Sequence, residues 1–241
     1  MSRFSAEFAR LYGVPDPINP AQGRLVATDG SVKAMVLEIV NPADWAVLSP
    51  VWQATQSEWE LPATAIAVSG TDGLQLWFSV SEPVRAADAA EFLALLQSKY
   101  LSAIPAKRLR LFPSPASAAT EDVVHAKAVP AIQESTGNWS AFVSPDLVSV
   151  FGEEPWLDIP PNLDQQADIL SRLKSMKLPQ FRDALGLLRG TANQQMQPSA
   201  LAAGESGTMR PKEFLTQVMN DPAVGLKDRI EAAKALLPYE S

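Results

Sequence analysis

The sequence predicts an α+β fold, a mixed sheet flanked by helices, ending in a C-terminal helical hairpin. Three observations carry that expectation. Apolar runs of strand length recur at 32–40, 65–69 and 74–80. Segments of helical periodicity lie before, between and after them. After short strand-like runs around 128–151, helical patterns follow at 164–189 and, past a small and polar stretch at about 190–210, over 211–237.

Residues 2–12 place Phe4, Phe8 and Leu11 at helical spacing, so a short helix opens the chain. A Pro/Asn/Gly-rich connection leads to residue 30, and Val32–Val40 reads as a buried strand. Asn41-Pro42 reads as a helix start, Asn41 as cap and Pro42 in the first turn. That helix continues through Trp45, Leu48 and Trp52, with an interruption expected at Pro50. Strands at 65–69 and 74–80 follow, then Glu82-Pro83 and a helix over 85–100 with a broad apolar face. Residues 107–112 partly alternate charged and apolar residues, as a half-exposed strand does. A loop covers 113–120, and a short strand is expected from Trp139 to Val143. Residues 164–189 are helical with a break near Pro179. The expected organisation is an α+β domain over 1–190, a flexible linker over 191–210 and a helical hairpin over 211–241.

Composition excludes several chemistries. With no cysteine and a single histidine, His125, the chain holds no disulfide, thiolate nucleophile or cysteine zinc site. No GxSxG elbow accompanies His125, which reads as a surface or capped residue. A net charge of −7 opposes a general electrostatic grip on nucleic acid and fits a protein partner or small ligand better. No apolar stretch approaches the roughly 20 residues that span a bilayer, and residues 1–13 lack a secretory apolar region. No membrane association is expected, and the cytoplasm is the expected compartment.

The chemistry-bearing stretch is Ser69-Gly70-Thr71-Asp72-Gly73, between two apolar strands, with Gln75 just after it and Glu38 on the earlier strand. Read from the residues alone, it is a hairpin turn with glycine supplying positive φ, Gln75 pointing to solvent and Glu38 a strand-edge or paired acid. The same order of elements and motifs resembles the catalytic core of the archaeo-eukaryotic primase superfamily. In that family an Asp-x-Asp pair on one strand binds divalent metal, a Ser-Gly-x-x-Gly-x-His segment supplies a histidine, and a third acid completes the site. Here Glu38 stands alone with Val40 in its partner's place, Gln75 replaces the histidine, and no third acid follows a strand in the expected way, although Asp122 and Asp146 are present. The resemblance therefore implies a primase-like core whose polymerase chemistry is lost, with neither metal nor cofactor expected.

Lys107, Arg108 and Arg110 form the best basic cluster, and with Trp77 as a stacking surface they are the candidate nucleic-acid contacts. The alternative for them is a solvated strand face. In the tail, Phe214, Leu215, Val218, Ile230, Leu236 and Leu237 make the apolar faces of a helical hairpin. Helices this short are unstable alone, so they dock on their own domain or on an unknown protein partner. The segment resembles a helical element of phage small-terminase-related proteins. The leading functional expectation is a non-enzymatic interaction protein that uses this tail. The alternatives are a nucleotide- or nucleic-acid-binding protein with weak or no metal-dependent activity through Glu38 and a structural assembly subunit.

Overall fold

The structure is a computed structural model that describes residues 2–14, 24–119, 123–134 and 136–196, with the single positions Thr216, Arg229, Ile230 and Lys234. The chain divides into two compact units, Met1–Gln194 and Gln195–Ser241. The first holds the α+β architecture. In chain order it runs α1 (Arg3–Tyr12), β1 (Ser31–Val40), α2 (Trp45–Ser57), β2 (Ala65–Val68), β3 (Gly73–Arg85) and α3 (Ala86–Tyr100). It continues with β4 (Leu109–Phe112), the single turn α4 (Pro115–Ala118), β5 (Ala141–Val143), α5 (Leu163–Ser171) and α6 (Leu178–Met196).

The five strands form one sheet in the order β4-β1-β3-β2-β5. A mixed sheet was expected, yet all four pairings are antiparallel, and the parallel pairing among the described residues is the isolated bridge Val80–Met176. Helices cover both faces, which is why β1 and β3 read as near-continuous apolar runs rather than alternating ones. One face carries Leu37, Ile39, Leu74, Leu76 and Phe78, packed beneath α2, α3 and α6. The other carries Val36, Ala67, Trp77 and Phe142, packed against Phe8 and Tyr12 of α1 and Leu170 of α5.

Local departures from the sequence expectation have identifiable causes. Asn41 does not cap α2: at φ +48° it turns away, and its backbone N–H and side-chain amide donate to Asp72. The cap is Asp44, whose carboxylate accepts from Ala46 N at 2.8 Å. Pro50 does not interrupt α2; it lies on the exposed side of the helix, where water can serve the carbonyl deprived of its partner. Glu82-Pro83 does not end β3, because residues 80–83 bulge between the pairs Ala34–Ser79 and Val32–Val84, where proline has no ladder bond to make. Lys107 and Arg108 form a 3₁₀ turn ahead of β4 rather than part of the strand. Pro179 sits in the first turn of α6, and the break precedes it at 172–177. Helix α6 continues through residues 191–196, into the segment whose composition reads as linker.

Polar side chains cap strand backbone at two places in the sheet. At β5 the Gln166 amide replaces a neighbouring strand: Phe142 N donates to Gln166 Oε1 at 2.7 Å and Gln166 Nε2 donates to Phe142 O at 2.9 Å. At β1, beyond the reach of β4, His125 Nε2 lies 3.0 Å from Ala34 O. His125 is thus a capped histidine. No helix among the described residues is long and apolar enough to cross a membrane. In the second unit, Ile230 is helical and 46% exposed. Phe214, Leu215, Val218, Leu236 and Leu237 lie outside the described residues.

Replacing Gln166 with Leu strands a buried N–H and C=O of Phe142. A loss of about 1–3 kcal/mol is expected, read as a lower urea midpoint at unchanged slope.

Candidate functional site

The site follows from strand register. On β1, Glu38 pairs directly with Gln75 of β3 on one side and with Arg110 of β4 on the other. Cross-strand partners share a face, so these three side chains form one row across the sheet. The β2–β3 turn then brings Asp72 level with the end of β1, where Asn41 meets it.

The turn is a hairpin held by its own side chain. Ser69 N donates to Gly73 O at 2.9 Å, while Ser69 Oγ accepts from Gly73 N at 2.9 Å and Thr71 N at 3.2 Å. Gly70 has φ +80°, and a Cβ there would lie 2.7 Å from Ser140 N. Gly73 serves a different purpose. A Cβ at that position would lie 2.6 Å from Glu38 Oε1, so the missing side chain is the room into which the Glu38 carboxylate fits.

Glu38 is 3% exposed and Gln75 is 6% exposed, so the expectation that Gln75 points to solvent is corrected. Its orientation follows from chemistry. The Trp77 indole can only donate, and its Nε1 lies 2.8 Å from Gln75 Oε1. The amide nitrogen is thereby turned to Glu38 Oε1, at 3.2 Å. Arg110 closes the other side. Its Nη1 and Nη2 donate to Asp72 Oδ1 and Oδ2, each at 2.9 Å, in a two-pronged pair. The same Nη1 lies 3.6 Å from Glu38 Oε2, an ion pair without a hydrogen bond. Thr71 Oγ1 also donates to Asp72 Oδ1, at 3.1 Å.

Electrostatics divides the two acids. Burial pushes the Glu38 carboxyl above the usual glutamate range, against the opposing pull of Arg110 and the Gln75 hydrogen bond. At Asp72 burial acts in the same upward direction, but the hydrogen bonds and charge of Arg110 outweigh it and hold the carboxyl below its usual value. The row opens on a pocket of about 230 Å³. Lys127, Gln133 and Ser140 line its far side, and Lys127 Nζ donates to Gln133 Oε1 at 3.2 Å.

The structure therefore brings together Glu38, Ser69, Gly73, Gln75 and Arg110, with Gly70 in the supporting turn. It disperses the rest of the basic strip. Arg108 donates to Val40 O at 3.2 Å and Pro42 O at 3.0 Å, fastening the end of β1. Lys107 is exposed on the 3₁₀ turn. Trp77 is 1% exposed and packs against Phe8, Tyr12 and Phe142, so its ring faces protein rings, not a base. Asp146 is exposed, and Asp122 lies outside the described residues. The second acid of the site is Asp72, inside the motif itself. Its signal was the pairing of β1 with β3, which sets the turn beside Asn41. Lys127 and Gln133 come from a loop with no motif, and nothing in the sequence marks them.

Whether these residues suit a divalent ion can be judged from the donors. Both Asp72 oxygens are taken by a guanidinium, Glu38 faces the same guanidinium, and no group of three or more metal-ligating side chains exists among the described residues. The donor set does not fit a two-metal centre, which needs several free carboxylate oxygens.

The fold and site thus define a helix-covered antiparallel sheet domain with an internally neutralised acidic row. Among solved structures the chain is similar to the AEP domain of a cyanophage S-2L primase-polymerase, at 17% identity and TM-score 0.30, over 58% of this chain and 60% of that one. It is also similar to the primase RepB′, at 13% identity and TM-score 0.30, over 87% of this chain and 60% of that one. The chain spans about 60% of the length of each of these structures. No family model matches it, and neither does any curated protein sequence.

Two outcomes are expected. Gly73→Ala forces Glu38 and Val40 to move and costs about 1–3 kcal/mol; in a Glu38→Ala background the share due to Glu38 disappears while the Val40 contact keeps the rest, read by a double-mutant cycle in urea. Glu38 holds its proton more tightly folded than unfolded. Its contribution is full below the ordinary value of 4.5 and declines as pH rises through the higher folded value. E38Q therefore gains stability relative to the parent as pH rises from about 4 to about 7. Asp72 has the opposite sign: its contribution is present above 3.8 and is lost as pH falls through the lower folded value. The penalty of D72N thus shrinks in acid.

Proposed function

We propose that this chain is a non-enzymatic interaction protein, with a catalytically degenerate sheet domain and a C-terminal helical tail that docks a protein partner. The observation that carries the reading is the Arg110 fork on Asp72, with Glu38 against the same guanidinium. Carboxylates committed to a fixed cation are not free to exchange metal and substrate oxygens through a reaction cycle. The tail enters because its apolar positions, Phe214 to Leu237, fall at helical spacing on two segments too short to be stable as isolated helices.

The test has two arms. Nucleotide incorporation on primed and unprimed single-stranded templates, with magnesium or manganese, should be absent. Manganese-dependent incorporation that disappears in E38Q would overturn the degenerate reading. Capture of a partner from source-cell extract should be lost when 208–241 is deleted, and unchanged capture removes the docking role from the tail.

A second reading, nucleotide or nucleic-acid binding without catalysis, is favoured by one observation: Arg110 and Lys127 both border the pocket beside the Ser69–Gly73 turn. Fluorescence anisotropy with labelled single- and double-stranded DNA discriminates. Binding that falls steeply with salt and is lost in K127A would favour this second reading. No binding at low salt removes it.

A further inference from the structure

The acidic row carries its own cation. Arg110 Nη1 stands 2.9 Å from Asp72 Oδ1 and 3.6 Å from Glu38 Oε2, between carboxylates delivered by a hairpin turn and by a central strand. Beside them lies a third oxygen-bearing side chain, the Thr71 hydroxyl, hydrogen-bonded to Asp72 Oδ1, while Asn41 turns its amide Nδ2 to Asp72 Oδ2. Carboxylate and hydroxyl oxygens are among the donors that hard divalent ions take. A guanidinium differs from such an ion in two respects: it cannot lose its charge, and being covalently attached it cannot leave.

We propose that Arg110 is a permanent internal counter-ion in the place a divalent cation would take between Glu38 and Asp72, and that removing its charge converts the row into a divalent-cation site. Several features of the site serve this arrangement. Gly73 leaves the space for the Glu38 carboxylate beside the turn. Gln75, fixed by Trp77, occupies Glu38 Oε1 and leaves Oε2 facing Arg110. Lys127, across the pocket, is bound to Gln133 rather than to either acid, so the guanidinium is the cation that both acids share. The inference rests on the degenerate reading of the sheet. It is judged by metal binding and not by activity, so its failure is distinguishable from failure of that reading.

The experiment is manganese titration of the full chain, followed by the electron paramagnetic resonance signal of free aqueous Mn²⁺. The parent should leave that signal undiminished at equimolar metal. R110M should deplete it, with an affinity at least about tenfold above the parent's, and R110M/E38Q and R110M/D72N should each return to parental behaviour. Parental binding that E38Q abolishes would overturn the proposal, as would a folded R110M that binds no better than the parent. Should R110M not fold, R110Q keeps donors for Asp72 without the charge and takes its place. Should neither fold alone, manganese during refolding must restore the native circular dichroism spectrum, and failure to do so counts against the proposal.

Discussion

The pairing of β1 with both neighbours at Glu38 is the constraint on which the rest of this structure depends. Because side chains alternate across a sheet, a slip of one residue would send Glu38 to the face packed under α2, α3 and α6. There it would meet Leu74, Leu76 and Phe92, with no partner for its charge. Leu37 and Ile39 would be turned towards the pocket in exchange. An unpaired buried carboxylate costs several kcal/mol after relaxation, a large share of a domain's whole stability. The apolar and polar halves of β1 therefore specify the same register. That register fixes Gln75, Arg110 and, through the turn, Asp72.

The same economy of side chains closes the sheet. β4 covers only Val36–Ile39 of a ten-residue strand, so the early half of β1 needs other partners on that side. His125 meets Ala34 O there, and burial pushes its imidazole below the usual range, keeping the ring neutral with Nε2–H as donor. The sole histidine of the chain is thereby a strand cap. Gln166 does the equivalent at β5 with both ends of its amide. Each replaces part of a missing strand with one polar side chain, taking up Phe142 N–H and C=O at β5 and Ala34 C=O at β1.

What was legible in the sequence followed from periodicity. α1, β1, β2, β3 and α3 announce themselves by apolar spacing, and their boundaries agree with it to one residue except at the end of β3, which runs on through the bulge to Arg85. Turn chemistry was legible too, since Gly70 and Ser69 act in the hairpin as glycine and serine do in turns generally. Misreadings arose where a tertiary partner overrode a local signal. Asn41 is a good helix cap by type, but Asp72 lies within reach and binds it instead. Pro50 and Pro83 look like breakers, yet one faces water and the other sits in a bulge. Gln75 looked solvated because alternation was counted against one helix layer, whereas helices cover both faces of this sheet. Arg110 appeared as one of three equivalent cations, and only the β1–β4 register separates it from Lys107 and Arg108. No single-strand pattern contains that information.

The charge pattern of the pocket then bears on what it can recognise. Two cations, Arg110 and Lys127, stand near two carboxylates, Glu38 and Asp72, so the site is close to neutral within a chain of net charge −7. Strong binding to a phosphate backbone draws on an uncompensated positive surface and on released counterions. Here the positive charge is already answered from within, and a ligand would displace no ion atmosphere of consequence. What the pocket offers instead is directed hydrogen bonding from groups whose orientation is fixed in sequence: Trp77 orients Gln75, Gln75 orients Glu38, and Asp72 orients Arg110. Such preorganisation favours a ligand or peptide group of matching shape, because little rotamer freedom remains to be lost on binding. A catalytic centre of the two-metal kind requires the opposite, acids left unanswered until metal and substrate arrive together. The row in this protein is answered from within, by Arg110 and Gln75, before any ligand comes.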